Sequence, residues 1–322
     1  MGLIIRILGV LLLLVCLIAA FGGGVRAFAA RRPPFRGEMV DIGGRKIRVV
    51  CEGPKSDKPL VVTESGIFGF AADWGEVQKG LAAQGIRSCA YDRAGLGWSD
   101  PGPAPRDGVA IVSDEEAWLR AMGETGPLIL VGHSMAGLHV RLFALRNPTR
   151  VKGLVLIDAA SPAMASSPEG QKMLQRFASF GQSVVFFSRL GVLKAISPWQ
   201  GDSIGLDNPA HSEKVYFFGD TRFNKVGAEE TLQAGRAAQQ AAAAGVLDPN
   251  IPVAVITEGD ARKSVRTGAF KAWGSGREQV ARDSRHGSVD YVPGATHASL
   301  LGRDHAGVIV KAVQRVMKDA GY

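Results

Sequence analysis

Val131-Gly132-His133-Ser134-Met135-Ala136-Gly137 is the stretch from which the fold can be read. Before it, Pro127-Leu128-Ile129-Leu130-Val131 is short, apolar and β-prone, the pattern of a buried parallel strand. After it, Leu138, Leu142 and Leu145 recur at helical spacing until Asn147-Pro148 stops them. A serine at a tight turn between strand and helix takes a strained backbone conformation, and small neighbours must let the two elements pass closely. Such a turn lifts the hydroxyl clear of the sheet and sets it near a helix N-terminus, whose free N–H groups favour an anion.

Outward from this turn, strands and helices alternate. Residues 40–51 read as two strands around Gly43-Gly44, an antiparallel hairpin. Strands follow at 60–63, 86–91 and 151–157, with helices at 74–84 and 109–122 between them. From residue 161 to 248 the alternation stops in favour of helical or irregular pieces, including an Ala-rich helix over 229–244. It resumes after Asp248-Pro249-Asn250 with strands at 252–257 and 288–292 and a closing helix at 308–317. The expected class is α/β, a mostly parallel eight-stranded sheet flanked by helices. An interruption of this length is too long for a plain loop and reads as a helical lid. The organisation is therefore 1–30 as an N-terminal segment, 31–160 as the first part of the core, 161–248 as the lid and 249–322 as the second part.

The chain of 322 residues is 46% hydrophobic, with 41 glycines and 16 prolines, which fits many turns between short elements rather than disorder. From Leu3 to Phe21 the only charged residue is Arg6, a run close to the hydrocarbon thickness of a bilayer when helical. It fits either an uncleaved membrane anchor or an exported protein's leader, with Ala27-Phe28-Ala29 as a cleavage site; the side of the membrane is left open. Seven of the basic residues behind the net charge of +8 fall between Arg26 and Arg48, against Glu38 and Asp41. Beside the apolar run this reads as a membrane-surface feature. With no aromatic interleaving or binding module, no nucleic-acid partner is expected. The three cysteines, Cys16, Cys51 and Cys89, cannot form a disulfide framework, and all are expected as free thiols.

Four stretches, in order, resemble the lidded serine hydrolases of the α/β-hydrolase superfamily. They are Trp74 with Asp73 before it, Tyr91-Asp92-Arg93-Ala94-Gly95-Leu96-Gly97-Trp98-Ser99, the serine turn itself, and Pro293-Gly294-Ala295-Thr296-His297. Gly153-Leu154-Val155-Leu156-Ile157-Asp158 adds to the match, which covers roughly residues 38–160 and 249–322. The turn matches the G-x-S-x-G nucleophile elbow except that Ala136 holds the fifth position, with Gly137 one place later.

The resemblance implies Ser134 as nucleophile, activated by a base because a serine hydroxyl is weakly nucleophilic at neutral pH. Of six histidines, His297 is the candidate base, since it alone follows a late strand in a Gly-rich loop; His305 is its rival. Two aspartates compete as the orienting acid. Asp158, 24 residues past Ser134, fits families whose acid follows the strand after the elbow helix, and Asp260 is the alternative after the next strand. The oxyanion hole falls to the backbone N–H groups of Met135 and Ile67, the latter after Ser65-Gly66 where the family has His-Gly. Asp92 and Arg93 read as a turn-stabilising pair. No metal site or cofactor is expected, because no His or Cys pair has ligand spacing with a third partner and no phosphate-cradling loop is present. The expected activity is hydrolysis of an ester or related acyl bond in a small-molecule or lipid-like substrate through an acyl-serine. Acyl transfer, thioester or C–C hydrolysis, and a non-catalytic scaffold on the same fold are the alternatives.

Overall fold

In the computed structural model, which describes residues 2–28, 32–163, 167–259 and 276–322, eight strands form one sheet. They are β1 (Glu38–Asp41), β2 (Lys46–Glu52), β3 (Leu60–Glu64), β4 (Ser88–Tyr91), β5 (Leu128–His133), β6 (Val151–Ile157), β7 (Val253–Glu258) and β8 (Gly287–Val292), in spatial order β1-β2-β4-β3-β5-β6-β7-β8. Only β2 runs against its neighbours. The central strands are rich in apolar residues because both faces are covered: in β5, Leu128 and Leu130 enter one core while Ile129 and Val131 enter the other.

One core packs beneath α3 (Gly108–Ala121) and α4 (Ala136–Arg146), around Trp118 and Phe143. The other packs beneath α2 (Gly75–Ala83) and the closing helix Ala306–Asp319. The closing helix is amphipathic, burying Ile309, Val310, Val313, Val316 and Met317 on one stripe. Between β6 and β7 lie α5 (Pro168–Arg189), α6 (Val192–Gln200), α7 (Ala210–Phe218) and α8 (Thr221–Ala243). Helix α8 begins eight residues before the expected Ala-rich run because the Asp220 side chain caps it, accepting from the Phe223 N–H at 2.8 Å. Past β7, α9 (Gln279–Asp283) precedes β8, and the closing helix is α10.

One expectation is corrected. Cys51 and Cys89 are not free thiols but form a disulfide. They face each other directly across the antiparallel β2–β4 pair, with Cα atoms 4.0 Å apart. That spacing belongs to the closer of the two kinds of antiparallel pair, in which the side chains meet. Three of the seven basic residues are paired with carboxylates: Arg48 is fully buried against Asp92 and Glu213, Arg36 pairs with Glu213 and Glu52, and Arg45 with Asp114, while Arg32 and Lys46 are exposed. The N-terminal segment forms α1 (Gly2–Phe28), with Ile4, Leu8, Leu12, Val15 and Phe21 exposed. Among the described residues, no helix is long and apolar enough to cross a membrane.

Candidate active site

Ser134 follows the last residue of β5 with φ +58°, the left-handed conformation that a non-glycine residue rarely takes. Its N–H donates to the Ile157 carbonyl at 3.0 Å, and its own carbonyl accepts from Ala160 at 2.8 Å and Gly137 at 3.1 Å. Two hydrogen bonds to the exit of β6 thus hold the strained turn. The shift of glycine from position 136 to 137 has a steric reason. A Cβ at 137 would stand 2.6 Å from the Ala159 Cβ and 2.8 Å from the Ala160 oxygen, so the chain leaving β6 requires glycine there. The Ala136 methyl is fully buried in its place.

His297, in the loop after β8, sets its Nε2 3.0 Å from the Ser134 Oγ and its Nδ1 in hydrogen-bond contact with the Asp158 Oδ2. Asp158, just past β6, is 2% exposed. Its Oδ1 accepts from an Arg277 guanidinium N–H and from the Thr257 hydroxyl at 3.3 Å. Burial pushes the Asp158 carboxyl up, but the His297 hydrogen bond and the nearby His297 and Arg277 charges outweigh it and hold it below the usual range. The alternative acid, Asp260, lies outside the described residues.

The remaining histidines have other partners. His133 directs Nε2 to the His297 carbonyl at 2.9 Å, steadying the loop, and burial followed by the charge of His297 drops its imidazolium to about 3. His139 pairs with Glu64 at 2.6 Å, His211 with Asp202 at 2.8 Å, and the rival His305 with the Ser299 carbonyl at 3.1 Å. His286 is exposed in the turn before β8.

The loop after β3 closes the other side. A Cβ on Gly66 would lie 2.7 Å from the Ser134 Cβ, so only glycine lets this backbone approach the serine. Ser65, where the resemblance expected a histidine, donates to the Phe70 carbonyl at 2.9 Å and accepts from the Trp74 indole at 2.8 Å. Arg93 donates to the carbonyls of Ser65 at 2.5 Å and Gly66 at 2.9 Å while gripping Glu230 of α8. Asp92 pairs with Arg48 and accepts from the Ala71 and Trp98 N–H groups. Neither lines the cavity beside Ser134, and the two are not partners of each other. Among the described residues no protein acceptor takes the Ile67 or Met135 N–H. Both residues line a cavity of about 490 Å³ with Ser134, Asp158 and His297, walled by Phe68 and by Met173, Phe177 and Phe180 on one face of α5. The sequence reading missed the roles of Arg277 and Arg93, whose partners are distant in sequence and carry no local pattern.

A family model described as alpha/beta hydrolase fold matches residues 59–190. An uncharacterized protein of Schizosaccharomyces pombe is 28% identical over 234 residues, 72% of this chain but 41% of its own length. The human (lyso)-N-acylphosphatidylethanolamine lipase is 29% identical over 161 residues, 48% of this chain and 46% of its own. The chain thus spans less than half the length of these curated relatives. Among solved structures, an esterase from Thermogutta terrifontis superposes with a TM-score of 0.61 at 18% identity, covering 90% of this chain and all of that one. The fold is the α/β-hydrolase fold.

Proposed function

We propose that this protein is a serine hydrolase acting on an ester or related acyl bond of an apolar, lipid-like substrate. The observation that carries the reading is the 3.0 Å approach of His297 Nε2 to the oxygen of a serine at φ +58°, with Asp158 on the opposite ring nitrogen. In this reading Ser134 Oγ attacks the acyl carbon as its proton passes to His297 Nε2, and Asp158 stabilises the imidazolium that forms. The Ile67 and Met135 N–H groups take the developing oxyanion. His297 then protonates the leaving group, and water activated by the same imidazole attacks the acyl carbon, breaking its bond to Ser134 Oγ and releasing the carboxylic acid.

The apolar wall of α5 and Phe68 supports an apolar acyl group. The similarity to a phospholipid-directed lipase supports the same substrate class. We read residues 161–248, which supply the α5 side of that wall, as the lid. We read α1, with apolar side chains exposed around it, as the element that attaches the protein to a membrane. The cross-strand disulfide supports an oxidising compartment and hence export.

A fluorophosphonate probe tests the chemistry without knowledge of the substrate. Labelling is expected at Ser134 in the native protein and absent in Ser134→Ala at unchanged Tm. A native protein that resists the probe overturns the reading in favour of a scaffold.

A further inference from the structure

We infer that Arg277 is a positioning residue for the catalytic machinery: its guanidinium fixes Asp158 from behind and offsets the carboxylate's charge, so that His297 stays neutral, and Ser134 reactive, at lower pH. The inference rests on the triad reading above. Its basis is the division of labour between the two oxygens of Asp158. Oδ2 faces His297, while Oδ1 is taken by Arg277 and, at 3.3 Å, by Thr257. Arg277 is 5% exposed and Asp158 2%, so little water screens the pair. The carboxylate cannot rotate about its Cβ–Cγ bond without breaking the Arg277 contact, which leaves Oδ2 aimed at the imidazole.

The guanidinium also has an electrostatic consequence. A lone buried carboxylate strongly favours imidazolium over imidazole, and an enzyme of this kind is inactive whenever its base is already protonated. A second charge on the carboxylate weakens that bias. Arg277 does so without touching substrate: it does not line the 490 Å³ cavity but a separate one of about 230 Å³ behind Asp158, with Leu156, Ala160 and Val280.

Other groups face the pair, and none replaces Arg277. His133, from β5, is held neutral by burial. Lys214 of α7 is engaged by Asp73. Arg176 and Glu258 line the catalytic cavity with His297, and Arg141 and Asp283 line the cavity that Arg277 borders.

The experiment measures the rate of fluorophosphonate labelling at Ser134 against pH, alongside Tm, for the full chain and for Arg277→Met and Arg277→Lys. In Arg277→Met the acid limb is expected to move upward by about one pH unit. At the plateau its rate should fall about tenfold, since Asp158 is then free to turn. Arg277→Lys keeps the charge but not the planar fork, so its acid limb should stay in place while its plateau falls. When the substrate is known, kcat should carry the loss and KM should not. An unmoved acid limb in a folded Arg277→Met variant overturns the inference and leaves the triad reading intact. If Arg277→Met does not fold, Arg277→Lys decides: a displaced acid limb, or a plateau within twofold of the native one, overturns it. Failure of the native protein to label at all overturns the triad reading instead.

Discussion

Asp158 turns the backbone left-handed at φ +41°, as Ser134 does at +58°, and the two consecutive strand ends so aimed belong to the same site. Asp158→Asn keeps the shape but offers His297 an amide in place of a carboxylate. An asparagine that donates to Nδ1 selects the wrong tautomer, so kcat should fall by about 10⁴, as in a comparable triad. A variant within tenfold of native would move the acid role away from Asp158. Gly66→Ala tests the other wall. Its methyl would sit 2.7 Å from the Ser134 Cβ and 3.2 Å from Oγ, so either the loop or the serine must shift. Labelling should slow by about 10²-fold with little change in Tm. Much at this scale was legible in the sequence, because Ser134 and His297 sit in turns whose glycines and small residues are themselves a local signal. Arg277 was not, since its only mark is a contact made 119 positions away.

Among the elements, the Arg93 guanidinium ties the loop after β3 to helix α8, holding two carbonyls on one side and Glu230 on the other. With those carbonyls drawn toward Arg93, the loop has a fixed orientation next to Ser134. Arg93→Met alone strands a buried carboxylate and should cost about 3–5 kcal/mol. Arg93→Met with Glu230→Leu removes both charges and should recover most of the lost Tm while labelling stays slow. Recovery of both would show that the pair serves stability alone. The central strands were legible because each carries a short apolar run, such as residues 128–131 in β5 and 154–157 in β6. The start of α8 was not: Thr221, Val226 and Gly227 are weak helix formers, and Gly227 is there because the helix packs against the Phe68 ring, where a Cβ would come within 2.3 Å. The β2–β4 disulfide was likewise hidden, since the strand order puts the two strands side by side but only the register sets Cys51 opposite Cys89. It closes a separation of 38 residues, and Cys51→Ala with Cys89→Ala should lose about 3–4 kcal/mol. Mass spectrometry of unreduced native protein should find the linked peptides.

Across the whole molecule, a few of the basic residues are drawn inward. Arg48, Arg93 and Arg277 are all buried against carboxylates, and they connect the strand ends, the helical insertion and the segment before α9. Composition could report the charge but not its placement, because an arginine on a surface and one in a core read alike in sequence. Among the described residues, Glu115 of α3 is a buried carboxylate without a cation in contact. It is fully buried and meets the Tyr91 hydroxyl only at 3.5 Å. Burial, reinforced by the charges of Glu64 and Glu116, pushes its carboxyl well above the ordinary value of 4.5. The folded protein therefore keeps a proton that the unfolded chain releases as pH rises through 4.5. Unfolding is then accompanied by proton release, so this residue erodes stability from that pH upward until the folded carboxyl itself ionises. Glu115→Gln supplies a neutral group of the same shape with nothing to release. Its Tm should match the native value near pH 4 and exceed it increasingly toward pH 8, as followed by thermal melts across that range. Parallel Tm curves for the two proteins would mean that Glu115 ionises in the folded state as freely as in the unfolded one, and that the packing around Tyr91 and Trp118 admits a charge.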